Sequence, residues 1–505
     1  MTNHDPFRAP RKFKLFFAAT LLFSIASQAQ SPSNPDTEAG QGRILLVLPF
    51  DNLTTPVAAA APAPALPSAN PVTPASGPSP ASLDAANLGW IREAVPDILN
   101  SRFTSAGFFP LTREDRLYAL DHLGLPETFQ PSRATALKIA EILDANYILI
   151  GSYSVNAGAL TLKSRIVDVA KLRLSDEIVQ TGPIDHLIPL LNSLAWQLTR
   201  KLDPRFGVAE ETFRAASANL RLDAFEQYIR GETESNPAER LQHLKKATDL
   251  SPNFTEAWLV TAKLEFASQQ YEQAAVSFSK VTRIASSPDP SALEAGFYRG
   301  LSLMYSGNYP RAEEAFAAVA RVLPLPEVVN NQAVAFSRRS KDAAGAIPLF
   351  RQAVVADPTD ADYHFNLAVS LHRHGDQAEA LTELAEAIKL HPSDSEAKSA
   401  QEAWKSNSAA ADPLERIKRN YNGAAFRQAA LMLDQVEDAR LAALPGPQRA
   451  ARLSSSAREK LNRGLLLEAE RGFQAALAAD PNSEEAKAGL NQVHERAGTL
   501  DAAPK

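Results

Sequence analysis

LEAGFYRGLSLMYSGNYPRAEEAFAAVARVLPLP (293–326), EVVNNQAVAFSRRSKDAAGAIPLFRQAVVADPTD (327–360) and ADYHFNLAVSLHRHGDQAEALTELAEAIKLHP (361–392) are three consecutive lines of one pattern. Ala312, Ala346 and Ala380 stand 34 residues apart at each step. So do Phe316, Phe350 and Leu384, then Val319, Ala353 and Ala387, then Pro324, Pro358 and Pro392. Four residue classes kept in step at one period mark a repeated helical unit, one that buries its apolar face only by stacking on its neighbours.

With a small residue, an aromatic or Leu, a small residue and Pro at positions 20, 24, 27 and 32 of each line, the stretch resembles the tetratricopeptide repeat family. The resemblance implies an all-α solenoid of helix pairs, each closed by its proline. It also implies a concave groove lined by the first helix of each pair, in which such arrays bind other proteins. Read onto this chain, the groove positions are Phe297, Leu301, Met304 and Tyr305, then Asn331, Ala335, Arg338 and Arg339, then Phe365, Val369, His372 and Arg373, with Asn366 beside them. The candidate peptide-binding set is Phe297, Met304, Tyr305, Asn331, Arg338, Phe365, Asn366 and Arg373. An aromatic strip running into Arg338, Arg339 and Arg373 suits an extended peptide that carries an acidic group. The alternative is an ordinary solvated helix surface. The Lys and Asn set with which co-chaperone repeats grip a terminal carboxylate is absent, since Asn331 and Ala335 occupy two of its positions.

Weaker units flank the regular centre. Phe225, Tyr228, Leu244, Ala247 and Pro252 outline one, and Trp258, Ala262, Tyr271, Ala274, Phe278 and Val281 a better one, so 221–392 reads as an array of about five repeats. Residues 393–412 read as a linker and 414–497 as further repeats with a capping helix. In that last stretch a degenerate unit surrounds Tyr421, Ala429 and Leu433, and a clearer one follows at Ala457, Leu461, Gly464, Ala469, Phe473, Ala476 and Pro481.

The N-terminal third is different. Arg8, Arg11, Lys12 and Lys14 precede the apolar run Leu15 to Ala26 and the small residues Ser27 and Ala29, which is the pattern of a cleaved export signal over 1–29. An uncleaved anchor or a chance apolar start is the alternative. Residues 42–203 alternate strand and helix signals. Gly42 to Asn52 (GRILLVLPFDN) reads as a strand covered on both faces, and Tyr147 to Gln180 as a three-stranded meander, with helices at 87–104, 112–123, 132–143 and 183–202. The Ala/Pro/Ser-rich stretch 54–81 has too little apolar surface to fold and reads as a disordered insertion. "LLVLPFDN", a helix, "LDANYILIGSYSVNAGALTLKSRIVDV" and a terminal helix resemble the amino-terminal domain of TolB and its relatives in curli and flagellar assembly. That resemblance implies an α+β domain with a structural or assembly role in the bacterial envelope and no catalytic residues. The fold class is thus multidomain, an α+β sheet domain followed by an all-α repeat solenoid.

Composition narrows the function. A net charge of −6 gives no basic excess for a phosphate backbone, so nucleic acid is not the expected partner. With no cysteine there is no disulfide, thiol nucleophile, cysteine-zinc site or lipid-bearing cysteine, so the chain is not expected to be a lipoprotein. His372-Arg373-His374-Gly375-Asp376 imitates the start of a metal motif, but Gln377 closes it and Gly375 falls at the inter-helix turn. Two S-x-x-K matches, at Ser277 and Ser395, lack their companion motifs. Catalytic, metal and cofactor sites are therefore not expected. The expectation is a periplasmic or secreted, non-enzymatic scaffold that binds protein or peptide partners of the cell envelope. An envelope hydrolase, or an enzyme that binds peptidoglycan or sugar through a site in the N-terminal domain, is the alternative.

Overall fold

The computed structural model describes residues 44–54, 88–217, 219–284, 290–340, 344–406 and 413–501. The expected export signal and all but the first residue of the 54–81 insertion lie outside them. The chain divides into two compact units. Pro237–Ala439 forms one, and the described residues up to Asn236 join those from Arg440 onward in the other. As the sequence patterning requires, an α+β sheet region precedes an all-α solenoid.

The sheet unit begins with β1 (Ile44–Val47), β2 (Asp51–Asn52), α1 (Ile91–Ser105), β3 (Phe109–Pro110), α2 (Arg113–His122) and α3 (Arg133–Ile142). It continues through β4 (Tyr147–Asn156), β5 (Ala159–Asp168), β6 (Arg173–Leu174), β7 (Ile178–Pro183), α4 (Leu187–Leu202), α5 (Glu210–Ala215) and α6 (Leu222–Thr233). β4 and β5 pair antiparallel along their whole length, from Tyr147 opposite Asp168 to Asn156 opposite Ala159. β1 runs parallel to both β3 and β4. Leu45, Leu46 and Val47 are all buried, which is why β1 reads as an unbroken apolar run. Leu46 packs with Ala119, Ala136 and Ile139 of α2 and α3, while α1 and α4 pack on each other and on the sheet. Phe50 crosses directly over Gly151, where a Cβ would stand 2.3 Å from the Phe50 ring and 2.4 Å from the Lys163 carbonyl. Only glycine fits there. The expected third strand of the meander divides into β6 and β7. At the break, Ser175 turns its side chain inward to accept a hydrogen bond from the Ile166 N–H at 3.0 Å.

The repeat unit holds α7 (Pro237–Leu250), α8 (Thr255–Ala267), α9 (Tyr271–Ile284), α10 (Pro290–Tyr305), α11 (Tyr309–Val322), α12 (Pro326–Arg339), α13 (Ile347–Ala356), α14 (Ala361–His374), α15 (Gln377–Leu390) and α16 (Ser395–Ser406). The helix α17 (Gly423–Ala442) follows, and the division between the two units falls within it. From α7 to α16 each helix packs on the next. The residues that repeat at one period make the seam. Ala312, Phe316, Ala346, Phe350, Ala380 and Leu384 are fully buried. Helices α11, α13 and α15 each end two residues before Pro324, Pro358 or Pro392, because the ring disfavours helical backbone in the residue ahead of it. Gly375 closes α14 with φ of 102°, a left-handed conformation that glycine adopts without strain.

Three expectations about the later chain need correction. The stretch 393–412 is not a plain linker, because the 12-residue helix α16 occupies more than half of it. Asp394 accepts from the Ala397 N–H at its start, and Ala397, Ala400, Ala403 and Trp404 bury one face. Nor does the range 414–497 consist wholly of repeats. Residues 413–422 are neither helix nor strand. The last three helices, α18 (Gly446–Asn462), α19 (Leu466–Ala479) and α20 (Glu484–Asp501), belong with the sheet unit. There α5 packs on α19 and α20, and Glu470 of α19, fully buried, accepts from the Ala209 N–H at 2.9 Å and the Thr212 hydroxyl at 2.5 Å. The expected capping helix α20 buries Ala486, Val493 and Ala497. Finally, the repeat unit starts at Pro237 and not at 221. α6 belongs to the sheet unit, where Phe225 meets Trp90 edge-on and the Tyr228 hydroxyl donates to Asp97.

Ala380 of α15 is fully buried in the seam. Ala380→Leu should overpack the seam and lower stability by about 1–3 kcal/mol, read as a shift of the urea midpoint. An unchanged midpoint would show that the seam tolerates volume.

Candidate functional site

The first helices of the regular repeats, α10, α12 and α14, do line a groove, and the groove is full. The chain's own segment Pro413–Tyr421 (PLERIKRNY) lies in it. Asn331 of α12 holds one residue of that segment by both main-chain groups. Its Nδ2 donates to the Lys418 carbonyl at 2.7 Å, and its Oδ1 accepts from the Lys418 N–H at 2.7 Å. Asn366 of α14 treats Arg416 the same way, at 2.7 Å to the carbonyl and 2.6 Å from the N–H. Asn330 completes the row. It donates to the Arg416 carbonyl at 3.1 Å and accepts from Asn366 at 2.8 Å. All three asparagines are fully buried.

The side chains of the segment enter two kinds of wall. Glu415, 2% exposed, takes the Arg373 guanidinium at 2.5 Å and the Ser337 hydroxyl. Arg373 also donates to the Pro413 carbonyl at 2.8 Å, and Arg338 to the Glu415 carbonyl at 2.9 Å. Arg416 points into acid. Its guanidinium lies 2.6 Å from Asp394, 2.8 Å from Glu396 and 3.1 Å from Asp362, and it rests 3.6 Å above the Phe365 ring. Lys418 reaches Asp360 at 2.7 Å and Asp362 at 2.8 Å, with the Tyr363 ring beneath it. Burial opposes ionisation of Asp362 and Asp394. Even so, the bonds from Lys418 and Arg416 hold the Asp362 carboxyl below its usual range, and Arg416 does the same for Asp394. Burial likewise disfavours the Arg416 charge, and the three carboxylates more than restore it. Further along, Ile417 packs against the apolar cluster of the repeats and Tyr421 stands among Phe297, Tyr298 and Phe426.

Seven of the eight residues singled out from the sequence are buried or contact this segment directly. Asn331, Arg338, Phe365, Asn366 and Arg373 touch it as described, and Phe297 does so through Tyr421 at 5.7 Å between rings. Met304 is buried. Tyr305 stacks on Tyr271 at 4.7 Å, with the Arg419 guanidinium 6.0 Å above its ring, and burial raises its hydroxyl pKa. Arg339 does not join the basic wall, because it pairs with Glu313 and lies over Phe336. His372 stacks on Trp404 at 4.1 Å and bonds Gln377, so its ring is engaged by packing. Asn330, Ser337, Tyr363 and the acidic wall of Asp360, Asp362, Asp394 and Glu396 were not foreseen. Only the last had a sequence signal, a run of acids around the two helix starts Asp360 and Asp394.

The groove helix α14 is itself pinned to α15. His364 Nδ1 lies 2.6 Å from Glu383 and Nε2 lies 3.0 Å from the Pro358 carbonyl, so both nitrogens face acceptors.

Residues 298–361 and 338–395 match the tetratricopeptide repeat family model. No curated protein matches the chain. Among solved structures, 36% of the chain aligns with 92% of YrrB, described as a TPR protein with an unusual peptide-binding site, at 18% identity and a TM-score of 0.33. With MamA 41-end from Desulfovibrio magneticus RS-1, 35% of the chain aligns with 99% of that fragment, at 20% identity and a TM-score of 0.31. The C-terminal domain of LpoB from Escherichia coli aligns over 82% of its length with 28% of this chain, at 21% identity and a TM-score of 0.19.

The His364 arrangement sets a pH dependence. The Glu383 bond raises the imidazole pKa above its ordinary 6.5, against the opposing effect of burial. A raised histidine pKa contributes stability that is complete below the unfolded value and is lost as pH rises through the folded one. The urea midpoint of the wild type should fall as pH rises above about 6.5, and His364→Gln should remove that part of the slope. Identical slopes in the two chains would deny the ion pair its role.

Proposed function

We propose that this chain, which carries tetratricopeptide repeats, is a non-enzymatic protein-interaction scaffold of the bacterial cell envelope. Its groove takes an extended peptide from a partner. The observation that supports this most is the pair of asparagines. Asn331 and Asn366 each grip the N–H and C=O of one residue in an extended chain, so they hold main chain and leave side-chain choice to the walls. Extended recognition of this kind needs no catalytic group.

The envelope setting rests on the export pattern of 1–29 and on the sheet unit's resemblance to the TolB amino-terminal domain. In the sheet unit, the Pro-Phe end of the first strand and the Gly-Ser-Tyr start of the hairpin, which carry that resemblance, pack against each other at Phe50 and Gly151. On this reading the sheet unit docks to an envelope component and the repeat unit holds the client.

Proximity labelling of the exported chain in its own cell tests the proposal. Envelope proteins should be labelled, and Asn331→Ala combined with Asn366→Ala should cut the labelling of at least one of them severalfold. Labelling confined to cytoplasmic proteins, or unchanged by the double substitution, would overturn it.

A further inference from the structure

We infer that the groove is held closed by Pro413–Tyr421 acting as a built-in ligand, and that it opens to a partner presenting the same order of side chains. That order is an acidic residue, then Arg, an aliphatic residue and Lys in extended chain, with an aromatic three residues beyond the Lys. The inference rests on the reading that the groove takes a partner's peptide, and it adds the partner's chemistry and the means of control.

The two walls write the code. Glu415 lies between Arg373 and Ser337, so the first position requires a carboxylate. Arg416 and Lys418, two residues apart, enter a wall of four carboxylates over two aromatic rings. Alternation of this kind is what an extended strand produces, since successive side chains point to opposite sides. Arg416 is held by three carboxylates and a ring face, a geometry that a planar guanidinium satisfies and an ammonium does not. A segment serving only as filler would need apolar side chains there. This one carries four charges: Glu415, Arg416 and Lys418 are each met by a complementary charge, and Arg419 lies over the Tyr305 ring.

A tethered segment competes at an effective concentration on the order of millimolar, so a partner in trans gains access when the segment's own anchors fail. Reversing those anchors should open the groove, because the acidic wall would then repel the segment.

The test measures fluorescence anisotropy of a labelled peptide of sequence PLERIKRNY, titrated with the full chain. Wild type is compared with R416E/K418E and with the milder Arg416→Ala, each first checked for helical circular dichroism and cooperative melting. The peptide should bind the opened variants about tenfold or more tightly than wild type. A peptide with Glu at the positions of Arg416 and Lys418 should bind none of them, and adding N331A/N366A to an opened variant should abolish binding. Equal affinity for wild type and opened chains would overturn self-closure while leaving the groove a peptide site. Absence of binding to a folded, opened chain would overturn the peptide-groove reading itself. Equal binding of the charge-reversed peptide would overturn the side-chain code.

Discussion

Main chain taken out of water must be hydrogen-bonded, and Pro413–Tyr421 has neither helix nor sheet to do it. Asn331 and Asn366 meet that constraint, each with one amide that donates and accepts at once. Leaving such a buried group unpaired costs about 1–3 kcal/mol, so the two asparagines and the segment define each other's places. The rest of the groove follows from where those amides stand. With Arg416 and Lys418 fixed by their main chain, their side chains meet the wall formed by Asp360, Asp362, Asp394 and Glu396. Glu415, on the other side, meets Arg373 and Ser337.

The solenoid and its groove are made by different residues of the same lines. Ala312, Ala346 and Ala380, with Phe316, Phe350 and Leu384, keep the helices at one spacing because they do not vary in kind. The fifth position of each line does vary, from Phe297 to Asn331 to Phe365. The invariant positions give the groove a shape, and the varying ones divide it into an aromatic end around Tyr421 and a polar end around Arg416. His364 and Glu383 tie the helix that carries Phe365 and Asn366 to the one behind it, so the polar end rests on a braced support.

Much of this was legible in the sequence. The period announced the seam, and the strand and helix signals between Gly42 and Asp203 placed the sheet. Reading family positions onto the lines singles out Asn331, Arg338 and Arg373, with Asn366 beside them, as candidate groove residues. The occupant was not legible. Its hydrogen-bond partners lie 50 and 87 residues earlier in the chain, and its alternating charges carry no helical period, so it passed for a decayed repeat. The same holds for α19, whose Glu470 is buried by a bond to Thr212 that spans 258 residues. Local pattern reports local structure, and both of these features are long-range closures.

The closed groove depends on the N–H groups of Arg416 and Lys418 donating to Asn366 and Asn331. Residue-resolved amide exchange measures it directly. In the full chain those two amides should exchange at least about a hundredfold more slowly than in the free peptide of the same sequence, and N331A/N366A should remove the protection. Exchange at the free-peptide rate in the full chain would contradict the account.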